Sequence, residues 1–331
     1  MGLSGFYALL KHKDVQYTPK HVQLKDLKDL RIAIDGDALM YNILYSMNNK
    51  SNVCELEIAK GVINVLKTMI QHGIFPLFVV SGSISIPEKA LCTQKRTNCR
   101  QNMLVKAKRI QDEIYSLQQN ITNNKNDVFD HINIAELTKQ CTSLQSNARY
   151  ISRDCAHKVL TIVESSLSSK YCQKAKCEAD FLLMLLSETN ECDLVATDDA
   201  DIVVAGARKT LRGLISLLHG GTGFVYSRVN IMKHFKLTSN QLIELGTLLS
   251  CDYQPSLCSV GPITALRALQ QHKTVSNFMY SDDFDVCTKR SKKRKFLTPN
   301  NMNKDDYIKM TNNTVKIFKH RPDQTKKQKK C

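Results

Sequence analysis

Short apolar runs alternate with stretches of helical periodicity in the first part of the chain. The run RIAID (Arg31–Asp35) is typical of a buried strand, and FPLFVV (Phe75–Val80) predicts a second one after Gly73. Each strand has a helix beside it in sequence, with apolar residues on one face. The positions that define these two helices are Leu39, Ile43 and Met47, then Ile58, Val62, Val65, Leu66 and Met69.

The same alternation returns after a long polar interval. Residues 88–165 are polar and compatible with helix, and the Asn-rich stretch at 121–127 interrupts them, so this interval is predicted to be an inserted helical arm with a mobile tip. Glu178–Leu186 then predicts a helix, and Asp193–Thr197 a strand. Alternating strands and helices indicate an α/β fold whose mostly parallel sheet is covered by helices on both faces.

Composition indicates a core-forming protein with a polyanionic partner. The chain has 331 residues, 42% of them hydrophobic, and a formal net charge of +16, so wholesale disorder is excluded. No uncharged apolar run reaches the about 18 residues of a membrane span, and the start lacks a signal-peptide pattern. The 12 cysteines are scattered without metal-ligand spacing, which favours a reducing compartment over disulfides or structural zinc.

The positive charge is unevenly distributed. Residues 287–331 contain 15 basic and 3 acidic residues, so the first 286 residues carry only +4. The tail is expected to be a disordered basic appendage. Within the body, residues 89–176 carry +8, whereas residues 177–205 carry −8 and contain no Lys or Arg. A basic region beside an acidic one suits an enzyme that holds phosphates with cations and metal ions with carboxylates.

The acidic residues collect where the predicted strands end, which is where open parallel sheets place their sites. They are Asp35 with Asp37, Glu178 with Asp180, Asp198 with Asp199 and Asp201, and finally Asp252. So many carboxylates would repel one another unless divalent cations such as Mg²⁺ bind between them. Asp35 or Asp199 alone is better explained as a helix cap. The complete set favours a metal site.

Several blocks within residues 1–273 resemble the flap endonuclease and xeroderma pigmentosum group G family of structure-specific 5′ nucleases. MGLSGFYALL is similar to MGIxGLxxLL, AIDGDALMY to AIDAxxxxY, CEADFLLMLL to GEAEAQCAYL, TDDAD to TEDMD, and LLSCDY to LLGSDY. The resemblance implies a PIN-like 5′-nuclease domain over residues 1–286. It also implies a helical arch at about residues 83–165 and a helix-hairpin element at about residues 238–273.

The resemblance further implies a role for each matched residue. Two Mg²⁺ ions are expected, with Mn²⁺ able to substitute. The ligands would be Asp35, Glu178 and Asp180 for one ion, and Asp199, Asp201 and Asp252 for the other. Lys89 and Arg96 keep the seven-residue spacing of the family's pair that reaches the scissile phosphate. On the substrate side, Tyr41 would stack on a base and the backbone around Gly2 would lie near the active site.

The chain also departs from the family pattern. VVSG (Val79–Gly82) stands where the family has VFDG, so Ser81 replaces one of seven expected carboxylates. Asp37, two residues beyond Asp35, is a candidate to compensate. In the helix-hairpin turn Gly261 matches, and a monovalent cation is implied there, but Ser259 replaces the first glycine and Ile263 and Thr264 replace the basic pair. Duplex binding through that turn is expected to be weaker, with the basic tail contributing affinity instead.

These observations predict a Mg²⁺-dependent nuclease that cuts branched or 5′-single-strand-bearing DNA during replication, repair or recombination. The alternatives are an RNA-directed endonuclease of the viral host-shutoff type and a catalytically weakened DNA-branch-binding protein. A monomer without membrane association is expected, and the family's sliding-clamp motif is not recognisable. KRSKKRK (Lys289–Lys295) fits nuclear localisation and phosphate binding about equally. A divergent, viral member would instead act in the host nucleus or cytoplasm.

Overall fold

A computed structural model describes residues 3, 5–47, 54–123, 128–257, 260–290 and 302–319. The strands are β1 (Lys20–Val22), β2 (Arg31–Asp35), β3 (Phe75–Val80), β4 (Cys172–Lys174), β5 (Leu194–Ala196), β6 (Lys209–Arg212) and β7 (Gly223–Ser227). The helices are α1 (Phe6–Lys11), α2 (Gly36–Ser46), α3 (Glu55–Gln71), α4 (Ala90–Asn123), α5 (Val128–Asn147), α6 (Arg153–Ser166), α7 (Ala179–Glu188), α8 (Ala200–Ala205), α9 (Leu214–Leu218), α10 (Arg228–Phe235), α11 (Ser239–Leu248), α12 (Pro262–His272), α13 (Val275–Met279), α14 (Asp282–Arg290) and α15 (Lys304–Lys319).

The strands form one seven-stranded sheet in the order β1-β7-β6-β5-β2-β3-β4. The five strands from β6 to β4 in that order run parallel to one another, while β7 is antiparallel to both β1 and β6. In the centre of the sheet Asp35 is paired with Val79 and Ile34 with Ala196. The carboxyl ends of β2, β3 and β5 therefore meet at the same edge.

Helices cover both faces of the sheet, as its apolar strands require. Buried side chains of α2, α3, α6 and α9 pack on one face. The opposite face is covered by α1, α7, α8, α11 and α12, together with the C-terminal helices. Helix α7 is buried almost all round, which explains its nearly unbroken apolar sequence after Asp180. Parallel strands between two helical layers confirm the predicted α/β class.

The polar interval becomes two long helices. Helix α4 contains 34 residues and α5 contains 20, and they pack against each other as a hairpin. Cys141 of α5 is buried and its thiol lies 3.5 Å from the carbonyl of Ala107 on α4. The hairpin tip at residues 124–127 lies outside the described residues. The Asn-rich interruption therefore correctly marks the boundary between the two helices.

The C-terminal segment differs from the expected disordered appendage. Helix α14 crosses the predicted boundary at residue 287, and α15 packs against α11. Tyr307, Thr311, Thr314 and Phe318 recur at helical spacing and all are buried. The expectation is wrong for residues 302–319 because this apolar stripe is buried against the core despite the surrounding charges. Residues 291–301 and 320–331, with most of KRSKKRK, lie outside the described residues.

Two expectations about the environment of the chain can be compared with the described residues. None of the described cysteines forms a disulfide. None of the described helices combines the length and the apolar character that crossing a bilayer requires.

Candidate active site

Asp35 links two neighbouring strands at the carboxyl edge of the sheet. It ends β2 and caps α2, since one carboxylate oxygen accepts a hydrogen bond from the Ala38 N–H at 3.0 Å. The other oxygen accepts the hydroxyl hydrogen of Thr197 at 2.8 Å. Thr197 directly follows β5, so the Asp35 carboxylate is fixed between the ends of β2 and β5.

Asp199 and Asp201 lie at the start of α8, just beyond β5. Asp199 caps this helix by accepting the Asp201 N–H at 2.9 Å. Asp201 is only 4% exposed, and its Oδ1 has no hydrogen-bond partner among the described residues. Helix capping is thus confirmed for one oxygen of Asp35 and one of Asp199. It does not account for Asp201.

Asp198 points away from this group. Its carboxylate lies 3.4 Å from the guanidinium of Arg212 and accepts the Gly213 N–H at 3.2 Å, with 48% of the side chain exposed. A backbone hydrogen bond and a surface ion pair account for Asp198, so it serves as a local comparison for Asp199 and Asp201.

Three basic side chains lie against the carboxylates of Glu178 and Asp252. Lys89 Nζ is 3.0 Å from Glu178 Oε2 and 3.1 Å from Asp252 Oδ2. Arg96 Nη2 is 2.5 Å from Asp252 Oδ1. Arg153 Nη2 is 3.3 Å from Glu178 Oε1, and the same guanidinium donates to the carbonyl of Gly82. Lys89 and the start of α4 thus contact the acidic residues, while the predicted contact of Lys89 and Arg96 with the scissile phosphate stays a prediction.

Arg153 is a site residue that the sequence did not single out. It opens α6, whose cap is Ser152, and its side chain is 37% exposed. The net charge of residues 89–176 gave the only sequence signal, because nothing in the local pattern separates Arg153 from the other basic residues there. Its contact with Glu178 depends on how α6 packs beside β3.

Burial governs the protonation of the acidic group. It raises the pKa of Asp35 to about 7, with the charges of Asp37 and Asp199 adding to the rise and hydrogen bonds opposing it. Burial also raises the pKa of Asp180 and of Asp201 well above the usual range. Burial is the main cause of these shifts, and repulsion between neighbouring carboxylates adds to it.

Lys89 and Arg96 have the opposite effect on the pKa of the carboxyl group that they contact. Burial alone would raise the pKa of Asp252, but Lys89 and Arg96 outweigh it and hold that pKa below its ordinary value. For Lys89, burial disfavours the ammonium, yet Asp180, Asp252 and Glu178 together raise its pKa well above the ordinary value. At the carboxyl edge of the sheet, Lys89, Arg96 and Arg153 therefore neutralise part of the negative charge of the carboxylates.

In the described residues no three Asp, Glu, His or Cys side chains converge on one point closely enough to hold an ion as they stand. The side chains of Lys89 and Arg153 lie between or beside the carboxylates instead. The donors nevertheless fit Mg²⁺, which prefers carboxylate oxygen and water. The buried Asp201 oxygen has no hydrogen-bond partner in the described residues, and the pKa values of Asp35 and Asp201 are raised. Both observations indicate that a bound cation would stabilise these carboxylates.

Ser81 lies among the carboxylates although it is not one. Its Oγ accepts the N–H of Ala179 in the first turn of α7 at 2.9 Å, and its carbonyl is 2.9 Å from His157 Nε2. Burial raises the pKa of Asp37, and the hydroxyl and main-chain N–H of Ser81 beside its carboxylate oppose the rise.

Comparison with known proteins identifies the family. The model of the XPG N-terminal domain matches residues 1–103, and that of the XPG I-region matches residues 170–252. Flap endonuclease 1 of Entamoeba histolytica is 23% identical over 301 residues, covering 86% of this chain and 72% of that protein. The chain belongs to the flap endonuclease and XPG family. It is therefore a nuclease, and the resemblance read from its sequence blocks is confirmed.

Solved structures give the same fold for this nuclease. The catalytic core of Rad2 in complex with DNA substrate is similar over 97% of this chain and 87% of that chain, with a TM-score of 0.62 and 20% identity. The Holliday junction-resolving enzyme GEN1 in complex with product DNA and Mg²⁺ is similar over 94% of this chain and 64% of that chain, with a TM-score of 0.50 and 13% identity. These likenesses confirm the PIN-like fold.

A cavity of about 650 Å³ opens beside the carboxylates of the nuclease, between α2, α4 and the segment before α6. Tyr41 lines it, with its hydroxyl accepting the N–H of Ile151 at 3.3 Å and its ring stacked on Tyr45 at a centroid distance of 6.0 Å. Across the cavity the guanidinium of Arg100 lies 4.2 Å from the ring centre of Tyr150. Aromatic faces and positive charge thus line one space beside Lys89 and Glu178.

The two other residues predicted to touch substrate are Gly2 and Gly261. Gly2 is outside the described residues. Gly261 caps α12, and a Cβ added to it would meet no atom within 4 Å, so this turn borders open space. Their predicted contacts with substrate stay predictions.

Proposed function

We propose that this nuclease is a Mg²⁺-dependent, structure-specific 5′ nuclease that hydrolyses phosphodiester bonds in branched or 5′-single-strand-bearing DNA. The observation that carries the proposal is the meeting of buried carboxylates with Lys89 and Arg96 at the carboxyl edge of the sheet. DNA is also present in the related Rad2 and GEN1 structures, and Mg²⁺ in the latter.

The proposed ligands of Mg²⁺ are the buried carboxylates of the sheet edge. They are Asp35, Glu178 and Asp180 for one ion, and Asp199, Asp201 and Asp252 for a second. Bound Mg²⁺ would activate the attacking water and stabilise charge on the leaving oxygen. Bound cations would also lower the raised pKa values of four of these carboxyl groups, so their charged forms and the ions would stabilise each other; the four are Asp35, Asp180, Asp199 and Asp201.

Lys89 and Arg96 would orient the scissile phosphate. Both are held by Asp252, so their positive charges are already directed at the acidic edge before substrate arrives. A phosphate entering between them would replace one of these carboxylate contacts with a charge-assisted hydrogen bond. Positive groups placed in advance favour the charge that develops on the phosphate during attack.

The cavity beside Tyr41 would accept an unpaired nucleotide. Tyr41 offers a ring already ordered by its hydrogen bond to Ile151 and by Tyr45. Base stacking on such a ring tolerates any sequence. Recognition of DNA structure rather than sequence follows from this arrangement.

Cleavage of an end-labelled 5′-flap DNA tests the proposal. Asp199→Asn keeps an oxygen that can cap α8 but removes the charge, and we expect at least about a hundredfold loss of rate. The matched control Asp198→Asn alters the exposed neighbour and should cut at the wild-type rate. Equal rates for wild type and Asp199→Asn would remove these carboxylates from the mechanism.

The same assay separates the alternatives. Matched RNA and DNA flaps in competition would reveal an RNA-directed enzyme by preferred cleavage of the RNA. Binding that persists without Mg²⁺ and gives no product with it would identify a branch-binding protein. Action as a monomer in the nucleus, in replication, repair or recombination, belongs to the proposal as well, and KRSKKRK is proposed to serve as either a localisation signal or a phosphate-binding segment.

A further inference from the structure

Asp37 and Ser81 each lie just beyond one of two adjacent strands. Asp35, the last residue of β2, is paired with Val79 of β3. The chain then enters α2, with Asp37 in its first turn, while Ser81 directly follows β3. Both residues line the same cavity, and the hydroxyl and N–H of Ser81 lie close enough to the Asp37 carboxylate to lower its pKa.

Gly36 allows the close approach. A Cβ at this position would lie 2.5 Å from the Val79 carbonyl oxygen and 2.7 Å from the Phe78 ring, so the start of α2 is in contact with the backbone of β3. The family block AIDAxxxxY has alanine at this place, whereas this chain has glycine. The chain therefore departs from the family at two places just beyond the paired strands, Gly36 at the start of α2 and Ser81 after β3, and Asp37 follows Gly36.

The surroundings of Asp37 are those of the acidic edge. It lines the same cavity as Ser81, Lys89 and Glu178. Its pKa is raised first by burial, and among charged groups Glu178 raises it while Arg153 lowers it. A separate observation in the same edge, the buried Asp201 oxygen with no hydrogen-bond partner in the described residues, indicates that a cation is required there.

We propose that Asp37 supplies, from the β2 side of the strand pair, the metal-binding carboxylate that Ser81 does not provide on the β3 side. The inference rests on the proposed Mg²⁺-dependent function and deepens it. Ser81 then acts as a positioning residue, because its hydroxyl accepts the N–H of Ala179 at the start of α7 and lies beside the Asp37 carboxylate, whose pKa it lowers. The site would again have seven carboxylates.

A reciprocal exchange tests this proposal. The proteins are wild type, Asp37→Asn, Ser81→Asp and the double variant with both changes. Asn at position 37 keeps an oxygen that can accept from Ser81, so the fold is expected to persist, and circular dichroism checks it. Asp154→Asn is the matched control, because its carboxylate is solvent-exposed and pairs with Lys158 on α6.

The primary readout is the Mg²⁺ dissociation constant of the DNA-free protein, measured by titration calorimetry, with Ca²⁺ titrated in parallel. Asp37→Asn should weaken Mg²⁺ binding by about tenfold or more. Loss of a group that only supports a metal ligand already lowers metal affinity by roughly 10- to 100-fold. Ser81→Asp alone should give no comparable gain, because two adjacent carboxylates repel. The Mg²⁺ affinity of the double variant should recover to within roughly threefold of wild type, as expected if the same carboxylate charge has only moved from position 37 to position 81.

Two outcomes overturn the inference. One is wild-type Mg²⁺ affinity in folded Asp37→Asn. The other is a double variant that stays as weak as Asp37→Asn, since Asp37 would then serve only to order the Ser81 loop. Cleavage assays separate this result from the proposed function. Recovery of Mg²⁺ binding by the double variant, with no DNA cut even by wild type, would reject the function and keep the exchange. Full cleavage by Asp37→Asn would keep the function and reject the exchange.

Discussion

Lys89 and Glu178 are 89 residues apart in the chain, yet the ammonium of one lies 3.0 Å from the carboxylate of the other. Only 15% and 9% of these side chains are exposed. The contact connects the segment that enters α4 to the start of α7, so the long hairpin and the carboxyl edge of the sheet are electrostatically coupled. Any cation that binds Glu178 competes with Lys89.

Lys89→Ala should separate catalysis from metal binding. We expect cleavage to fall by about a hundredfold because a phosphate-orienting charge is removed. Mg²⁺ affinity should be unchanged or higher, since the competing ammonium has gone. Flap cleavage and titration calorimetry measure the two effects. Lys95→Ala, which changes an exposed lysine in the first turns of α4, is the control, and weaker Mg²⁺ binding by Lys89→Ala would contradict the competition.

The raised pKa of Asp35 predicts how stability depends on pH without metal. The folded value is about 7 and the ordinary value 3.8, so the folded state binds the proton more tightly than the unfolded state. This contribution to stability is complete below about pH 3.8 and is lost as the pH rises to about 7. Wild type should therefore lose stability relative to Asp35→Asn across that window.

Urea unfolding of both proteins at several pH values, in EDTA, measures this difference. Saturating Mg²⁺ should abolish it, because the ion favours the ionised carboxylate. Two stability curves that stay parallel from about pH 4 to about pH 7 would mean that Asp35 titrates normally.

Tyr307 should anchor the C-terminal helix. Its ring is fully buried, and its hydroxyl donates to the carbonyl of Pro255 at 3.0 Å. Tyr307→Ala leaves both a cavity and an unsatisfied acceptor, so we expect a loss of about 3–5 kcal/mol in the free energy of unfolding. Asn313→Ala, on the exposed face of α15, should cost little. Comparable urea midpoints for the two variants would show that α15 contributes nothing to the core.

The basic residues after α15 should contribute sequence-independent DNA affinity. Changing Lys326, Lys327, Lys329 and Lys330 to Gln removes charge but keeps α15 intact, whereas a deletion from residue 287 would also remove a buried helix. The slope of log K against log salt concentration should become shallower by about 0.9 for each DNA phosphate that the variant no longer neutralises. An unchanged slope in fluorescence-anisotropy titrations would assign the affinity to the folded body.

The local pattern of apolar residues was sufficient to predict the parallel strands at the centre of the sheet. β2, β3 and β5 are short apolar runs, and the carboxylates that follow them meet because parallel strands end at a common edge. The antiparallel pairing of β1 with β7 could not be predicted, because it joins Lys20–Val22 to Gly223–Val225, far along the chain. Such pairing depends on register between distant segments, which local periodicity does not encode.

The high positive charge of the C-terminal segment is the reason that α15 was not predicted from the sequence. Tyr307 and Phe318 fall on one helical face, a signal that was present in the sequence, but the basic excess of the segment favoured disorder. At the site, the carboxylates were predictable by type and order, whereas the contact of Arg153 with Glu178 requires the packing of α6. The neighbourhood of Asp37 and Ser81 depends on how the start of α2 packs against the end of β3.

The position of α15 late in the chain bears on how the protein is synthesised. Tyr307 and Phe318 complete the packing beneath α11, but the ribosome makes them after every other described element. While this segment remains within the ribosome, the face of α11 that packs against α15 has no cover. We expect a nascent nuclease arrested before residue 304 to bind chaperones and to cut no DNA, and packing of α15 onto α11 to start its activity.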